Sequence, residues 1–445
     1  MKTFGKLIVA GVLAFAALQF LRPGIPAKPD SAPLQAPPEV LRILDEDCYS
    51  CHSDQKRLSW FDQIVPAYWF VRQDILNARS HLNFSTLGSK PAAAQKATLF
   101  EAVNMIQLGA MPLPQFIQIH PDAKVTHVEL ATLKAYLAPW KPKPPAAPLA
   151  SFTPVALDKV QPEFNGIPFD PAFAGWKLIS TTDRGDNHTF RFILGNEIAY
   201  QAAQSGNISP WPDGSRLAKI AWQQETAPNG LIQPGKFVQV ELMEKGAGQF
   251  KQTEGWGWGR WRGLDLKPYG SSAQFVTECT TCHLPVRGND YVYTLPISAA
   301  HAAQQEQANN RAAALPSNLP YQPLAWRPIT MFVDPESRST AILFGNQVAE
   351  SALAIHGTAS ANPPQYPAGS VLALVTWAQR DDPHWFGARI PDAPLSVEFV
   401  QIANPSQPGT YRRFTSPALA EDHSQASTAA QRSAFVEALM PAQLP

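Results

Sequence analysis

Phe192-Ile193-Leu194-Gly195-Asn196-Glu197-Ile198-Ala199 returns further along the chain as Ile342-Leu343-Phe344-Gly345-Asn346-Gln347-Val348-Ala349. Working outward, Trp211-Pro212-Asp213-Gly214-Ser215 has a counterpart in Tyr366-Pro367-Ala368-Gly369-Ser370. Trp222 then falls opposite Trp377, and Val240-Glu241 opposite Val397-Glu398. Internal duplication is the simplest account. Short alternating apolar segments separated by Gly and Pro, such as Phe237-Val238-Gln239-Val240-Glu241-Leu242, read as strands.

Upstream of the duplication the pattern changes. Residues 39–140 read as helical, and Thr126 with Glu129 forms a capping box ahead of Val128, Leu130, Leu133 and Leu137, which predicts a final helix there. The expected fold class is therefore multidomain α+β. A helical domain over residues 39–140 precedes two duplicated, mainly antiparallel β domains over residues 155–300 and 326–440. Three domains suit 445 residues at about 150 residues each. The punctuation agrees: a Pro-rich stretch over residues 23–38, a stiff spacer Lys141-Pro142-Lys143-Pro144-Pro145, and an Ala-, Gln- and Asn-rich stretch over residues 301–325. A hydrophobic share of 45% against 16% charged residues supports real cores rather than disorder. Lys plus Arg and Asp plus Glu balance at 36 each, so no positive field is present to neutralise phosphates, and nucleic acid is excluded as a partner.

The N-terminus starts with Lys2 and Lys6 and runs apolar from Leu7 to Leu21, broken by Gly11 and Gln19, before Arg22-Pro23. Residues 1–25 read as an export signal or membrane anchor. The run is short for a bilayer span of about 20 residues and long for a cleaved core. Cutting at Ala14-Phe15-Ala16 would leave an apolar tail, so an uncleaved inner-membrane anchor over residues 7–21 is favoured over release by cleavage. Either fate places the protein in a bacterial periplasm.

Four cysteines occur, as Cys48-Tyr49-Ser50-Cys51-His52 and Cys279-Thr280-Thr281-Cys282-His283, and none is left over. C-x-x-C-H is the attachment pattern of c-type haem: two thiols add to the vinyl groups, and the histidine reaches the iron. Disulfides or a redox C-x-x-C need no following histidine, and a four-cysteine zinc site would leave both histidines idle. Two covalent haems are expected, with His52 and His283 as iron ligands. At the first, Met111 is the candidate sixth ligand, because Gly109-Ala110-Met111-Pro112-Leu113-Pro114 is a proline-bracketed loop of the kind that presents a thioether. Met105 reads as helix core, while His81 and His120 compete with Met111.

Residues 39–140 as a whole resemble a small haem-binding domain family. The likeness rests on the C-x-x-C-H, the aromatic pairs Trp60-Phe61 and Tyr68-Trp69, the stretch His81-Leu82-Asn83-Phe84-Ser85, and Met111-Pro112-Leu113-Pro114. It implies a bound c-type haem and no particular reaction. Residues 160–296 resemble the cytochrome P-460 family, which also includes the cytochromes c′-beta. The carriers of that likeness are Arg191 to Asn196, Trp211 to Gly214, Pro234 to Phe237, Gly255-Trp256-Gly257-Trp258-Gly259, Cys279 to His283, and Asp290 to Thr294. This resemblance implies a β-rich domain whose haem has a proximal histidine and an open face for hydroxylamine or nitric oxide. In the hydroxylamine-oxidising branch a lysine is bonded to the haem edge, and Lys219 matches it by its place after the Asp-Gly turn. Glu241 matches a distal carboxylate.

The second copy supplies an internal control. It has no cysteine, and it carries Leu374 opposite Lys219 and Ala341 opposite Arg191. Both cations disappear with the attachment motif, which ties Arg191 to a propionate and Lys219 to the ring edge. Glu241 keeps its counterpart Glu398, so a structural strand role competes with that of a proton acceptor.

The expected function is oxidation of a small nitrogen species at the second haem, with Lys219, Arg191 and Glu241 as site residues. Electrons would pass to the first haem and on to a periplasmic acceptor. The alternative is a non-catalytic electron-transfer or nitric-oxide-binding cytochrome of the c′-beta kind, whose pocket Trp256 to Trp261 would line. The cysteine-free copy is expected to dock on or stabilise the other, and a homodimer stays open.

Overall fold

The computed structural model describes residues 2–138, 155–272, 274–300, 308–353, 363–424 and 426–444. The spacer Lys141 to Pro145 and residues 301–307 lie outside the described residues. The chain divides into two compact units, Met1–Pro139 and Trp140–Pro445.

The first unit is helical. Its helices are α1 (Lys2–Leu18), α2 (Pro38–Asp47), α3 (Tyr49–His52), α4 (Ala67–His81), α5 (Ala92–Gln107), α6 (Pro114–Ile119) and α7 (His127–Leu137). The capping box that opens α7 forms as expected: the Glu129 amide donates to Thr126 Oγ1 at 3.2 Å, and the Thr126 amide donates to Glu129 Oε2 at 2.9 Å. Leu133 and Leu137 are buried while Val128 is exposed. Val40, Ile43, Leu44, Phe84, Leu99, Phe100 and Val103 supply further core residues from α2, α5 and the loop after α4. Among the described residues no helix is long and apolar enough to cross a membrane. The apolar side chains of α1 are exposed along its length, from Phe4 and Leu7 to Leu18. The segment after it is tied down: Val65 exchanges two hydrogen bonds with Gln19, and Trp69 Nε1 donates to Leu21 O at 2.8 Å.

The second unit is built from one sheet. Its first repeat contains β1 (Lys177–Arg184), β2 (Thr189–Gly195), α8 (Glu197–Ser205), β3 (Arg216–Thr226), β4 (Ile232–Lys245), β5 (Trp256–Arg262), β6 (Lys267–Pro268) and α9 (Gln274–His283). Its second repeat contains β7 (Arg327–Asp334), β8 (Ser339–Gly345), α10 (Gln347–Glu350), β9 (Ser370–Asp381), β10 (Ala388–Ile402), β11 (Thr410–Thr415), β12 (Ala420–Glu421) and α11 (Ala429–Glu437). The pairing is antiparallel and follows β1-β2-β3-β4-β7-β8-β9-β10, and β10 returns to β1, which closes a barrel. The β5–β6 hairpin extends β4, and the β11–β12 hairpin extends β10.

The duplication is visible bond by bond. Asn196 caps α8 by accepting from the Ala199 amide, donates to Gly214 O and accepts from the Arg216 amide; Asn346 makes the same three bonds with Ala349, Gly369 and Val371. Gly214 and Gly369 both have φ near +85°, at 82° and 89°, a left-handed conformation that explains the shared glycine. The repeats that the sequence reads as successive domains are halves of one barrel. The joints are Ile232↔Val333 on one side and Asp183↔Arg389 with Arg184↔Ala388 on the other. The barrel interior is a single core in which Phe190, Phe192, Trp222 and Val240 of one repeat meet Met331, Ile342, Trp377 and Phe399 of the other.

Because side chains alternate across a strand, the residues between these core positions point out of the barrel. The two outer faces differ. On the first repeat Ile193, Leu217, Trp256 and Trp258 pack against Phe275 and Cys279 of α9. On the second repeat Ala341, Leu343, Leu372 and Leu374 are covered by α11 through Val436, with Phe435 beside it.

Candidate haem sites

In the first unit Cys48 ends α2 and starts α3, so one helical turn brings Cys51 and His52 around beside it; the His52 amide donates to Cys48 O at 2.9 Å. His52 Nδ1 lies 3.0 Å from Leu82 O. A carbonyl only accepts, so Nδ1 carries the proton and Nε2 keeps its lone pair. Burial pulls the imidazole below its usual range, which keeps it in the neutral form a metal needs. In the second unit α9 ends on Cys279, Cys282 and His283, and His283 Nδ1 donates to Tyr291 O at 2.7 Å. Burial, with the Lys219 and Arg260 charges adding to it, takes His283 down to about 4. No disulfide joins the four cysteines.

Tyr291 and the preceding Asp290 have φ of 64° and 46°, uncommon values for side-chain-bearing residues. Three contacts hold them there. Asp290 accepts from Lys245 Nζ at 2.7 Å and from the Trp211 amide at 2.8 Å, and Trp256 Nε1 donates to Asp290 O at 2.9 Å. Trp211-Pro212-Asp213-Gly214 and the Gly-Trp alternation thus serve the loop whose carbonyl orients His283. The ring of His283 also lies 4.6 Å from that of Trp258.

Lys219, Glu241 and Arg260 form one row across β3, β4 and β5, in the registers Lys219↔Glu241 and Glu241↔Arg260. The row continues the face on which Leu217, Trp258 and Cys279 pack. Lys219 Nζ pairs with Glu241 Oε2, and Arg260 Nε lies 3.0 Å from Oε1. Gln239 Nε2 donates to the same Oε1 at 2.5 Å. Burial opposes the Glu241 charge, yet Lys219, Arg260 and Arg191 together outweigh it and hold the carboxyl at about 2. Burial brings Lys219 down to about 8 against the pull of Glu241. Arg191 is likewise pushed below its usual range by burial.

These residues fit a haem. Arg191 Nε, Trp211 Nε1 and Trp258 Nε1 are buried without a hydrogen-bond partner, and an orphaned buried donor is costly unless a ligand meets it. Lys219, Arg191 and Arg260 outnumber Glu241 and Glu278, which lies 3.8 Å from Arg260, and the net positive charge suits propionates. Lys219 pairs with Glu241, both charges act on His283, Glu241 also acts on Cys279, and Arg191 acts electrostatically on Glu241.

Arg260 was not singled out from sequence, where it hides in the run Trp256-Gly257-Trp258-Gly259-Arg260-Trp261. Strand alternation is the signal that finds it: Trp256, Trp258 and Arg260 share one face, and Trp261 turns into the barrel core.

In the first unit His120, one rival of Met111, is engaged elsewhere. His120 Nε2 lies 2.9 Å from Asp62 Oδ1, and its ring stacks on Phe116 at 4.2 Å. His81 is exposed, and its Nδ1 donates to Asn77 O on the same helix at 2.9 Å. Met111 is half-buried in the turn between α5 and α6, where its amide donates to Met105 O at 3.1 Å.

Comparison with protein families agrees with this division. Residues 10–139 match the family described as Haem-binding domain, and residues 171–294 match Cytochrome P460. A comparison with curated proteins finds no match. Residues 10–139 are thus a haem-binding domain and residues 171–294 a cytochrome P460 domain, fused in one chain.

Proposed function

We propose that this haem cytochrome is an exported c-type protein with two covalent haems, on Cys48/Cys51 and Cys279/Cys282, that oxidises hydroxylamine or nitric oxide at the second. His52 and Met111 would hold the first haem, which would serve as the relay for electrons bound for a periplasmic acceptor. The observation that carries this reading is the charged row Lys219–Glu241–Arg260 on the face where His283 presents Nε2. A bound haem supplies the iron that takes the ligand and its electrons. The chain itself holds the axial histidine neutral, meets the propionates with Arg191, and places a carboxylate where substrate protons leave.

The charges set a condition on that last role. A carboxyl held at about 2 is a weak base. Glu241 becomes a useful proton acceptor only when one of its three cations is lost, and a Lys219 bonded to the ring edge would lose its charge in this way. The amine, brought down to about 8, has an appreciable unprotonated fraction at neutral pH and is suited to such a bond.

The Lys219–Glu241 ion pair also favours a second reading. A lysine that stays committed to the carboxylate leaves an uncrosslinked, non-catalytic site that binds nitric oxide. Mass spectrometry of the digested holoprotein decides between them. The oxidase reading expects a haem linking the Cys279–Cys282 peptide to a peptide containing Lys219, together with hydroxylamine-dependent reduction of an electron acceptor. Two ordinary haem peptides and no turnover leave the nitric-oxide binder.

The periplasmic, membrane-anchored location rests on α1. Its apolar side chains are exposed from Phe4 to Leu18, and the haem-binding match begins within it. Separation of membrane and soluble fractions tests it: an intact chain that is wholly soluble rules out the anchor.

A further inference from the structure

The turn between β9 and β10, Asp382-Pro383-His384-Trp385-Phe386-Gly387, belongs to the repeat without cysteines, yet it reaches the segment behind His283. His384 Nδ1 donates to Tyr293 O at 2.7 Å. The Trp385 ring meets the Tyr293 ring edge-on at 5.5 Å. Tyr293 in turn places its ring 5.1 Å from that of His283 and donates its hydroxyl to Cys282 O at 2.7 Å. The turn is braced from the first repeat as well. The Gly185 amide donates to Gly387 O at 2.9 Å, and the Arg184 guanidinium, paired with Asp186, lies 4.2 Å over Trp385.

The duplication supplies the comparison. The corresponding turn of the first repeat, Ala227-Pro228-Asn229-Gly230-Leu231, has neither histidine nor tryptophan. The clamp therefore exists only on the turn that faces the C-x-x-C-H helix. An imidazole fixed at Nδ1 by one carbonyl can still rock about its Cβ–Cγ bond. An edge-on aromatic neighbour resists that motion. Partners outside the ligand shell fix the ligand's orientation and basicity.

We infer that the cysteine-free repeat completes the P460-type site in trans of the duplication: His384 and Trp385 are positioning residues that lock Tyr293 against His283 and so set the orientation of the axial imidazole. This gives residues 326–440 a task beyond closing the barrel, and it rests on His283 being the proximal ligand.

The test is resonance Raman spectroscopy of the reduced full-length holoprotein, read at the iron–histidine stretch, which a five-coordinate haem gives and a six-coordinate haem does not. The wild-type protein must show the band; its absence sinks the five-coordinate, His283-ligated site on which the inference rests. With the band present, His384→Ala and Trp385→Ala are expected to shift and broaden it and to move the midpoint potential of that haem. His384→Gln keeps an N–H donor and is expected to restore the wild-type band. A band and potential unchanged in both alanine variants overturn the inference. His384 is half-buried and gives up one hydrogen bond, so His384→Ala alone decides the matter should the Trp385 variant fail to fold.

Discussion

At His52 and His283 a backbone carbonyl accepts from Nδ1–H, that of Leu82 in one unit and of Tyr291 in the other, although one unit is helical and the other built on a sheet. The recurrence makes sense if both rings must offer Nε2 to iron. Replacing Cys48 and Cys51 together by Ser is therefore expected to halve the covalently bound haem per chain, read by the pyridine haemochrome of acid-extracted protein. The Cys279 and Cys282 pair should give the same halving, and all four replacements should leave none. Two haems remaining in either double variant would defeat the assignment. Met111→Ala should convert the first haem from six- to five-coordinate in its absorption spectrum; a spectrum left six-coordinate points to another ligand. At this scale the motif residues were legible because covalent attachment demands a fixed spacing. Arg260 was not, since its partner Glu241 lies on another strand and no local pattern joins them.

The elements show what fills the matching face of the cysteine-free repeat. Glu398 stands where Glu241 does, and Arg413 faces it in the register in which Arg260 faces Glu241. With Ala341 and Leu374 in place of Arg191 and Lys219, the face is apolar, and α11 lies on it. Arg432 of α11 then takes both oxygens of Glu398, at 2.9 and 2.7 Å, while Tyr411 donates to Oε2 at 2.5 Å. Only 4% of the Glu398 side chain is exposed, so removal of its cation leaves a buried charge. The Arg432 side chain is 38% exposed, so Arg432→Ala is expected to destabilise the second unit by about 2 kcal/mol, less than breaking a fully buried pair. Chemical denaturation measures this, and a loss below about 1 kcal/mol would show that Tyr411 and Arg413 suffice. The strands of both repeats were legible from alternation and the last helix of the first unit from its capping box. The seal was not, because Glu398 and Arg432 come together only once the barrel and α11 are in place.

For the second unit taken whole, the question is what commits two repeats to one barrel. Each joint is short, and strand patterns carry no mark of which distant edge they will meet. Asp183 marks one joint. It faces Arg389 across β1 and β10 and accepts from Gln224 Nε2 of its own repeat at 2.6 Å and from Gln379 Nε2 of the other at 3.0 Å. Loss of water raises its carboxyl above the usual range, and the two amides and Arg389 offset only part of that. The native protein thus binds this proton at pH values where the unfolded chain has released it. Stability must fall as pH rises from about 3.9, the unfolded value, through the folded one, and the cost is fully present above the folded value. Asp183→Asn removes the charge and keeps the bridge, since the new amide still accepts from Gln224 and, once the Gln379 amide turns over, can donate to its Oε1, which is otherwise buried without a partner. Urea unfolding from pH 4 to 8 is expected to show the variant gaining on the wild-type protein as pH rises above the unfolded value. Were the two to keep a constant difference across that range, the joint would be held by geometry alone and the carboxylate would carry no electrostatic cost.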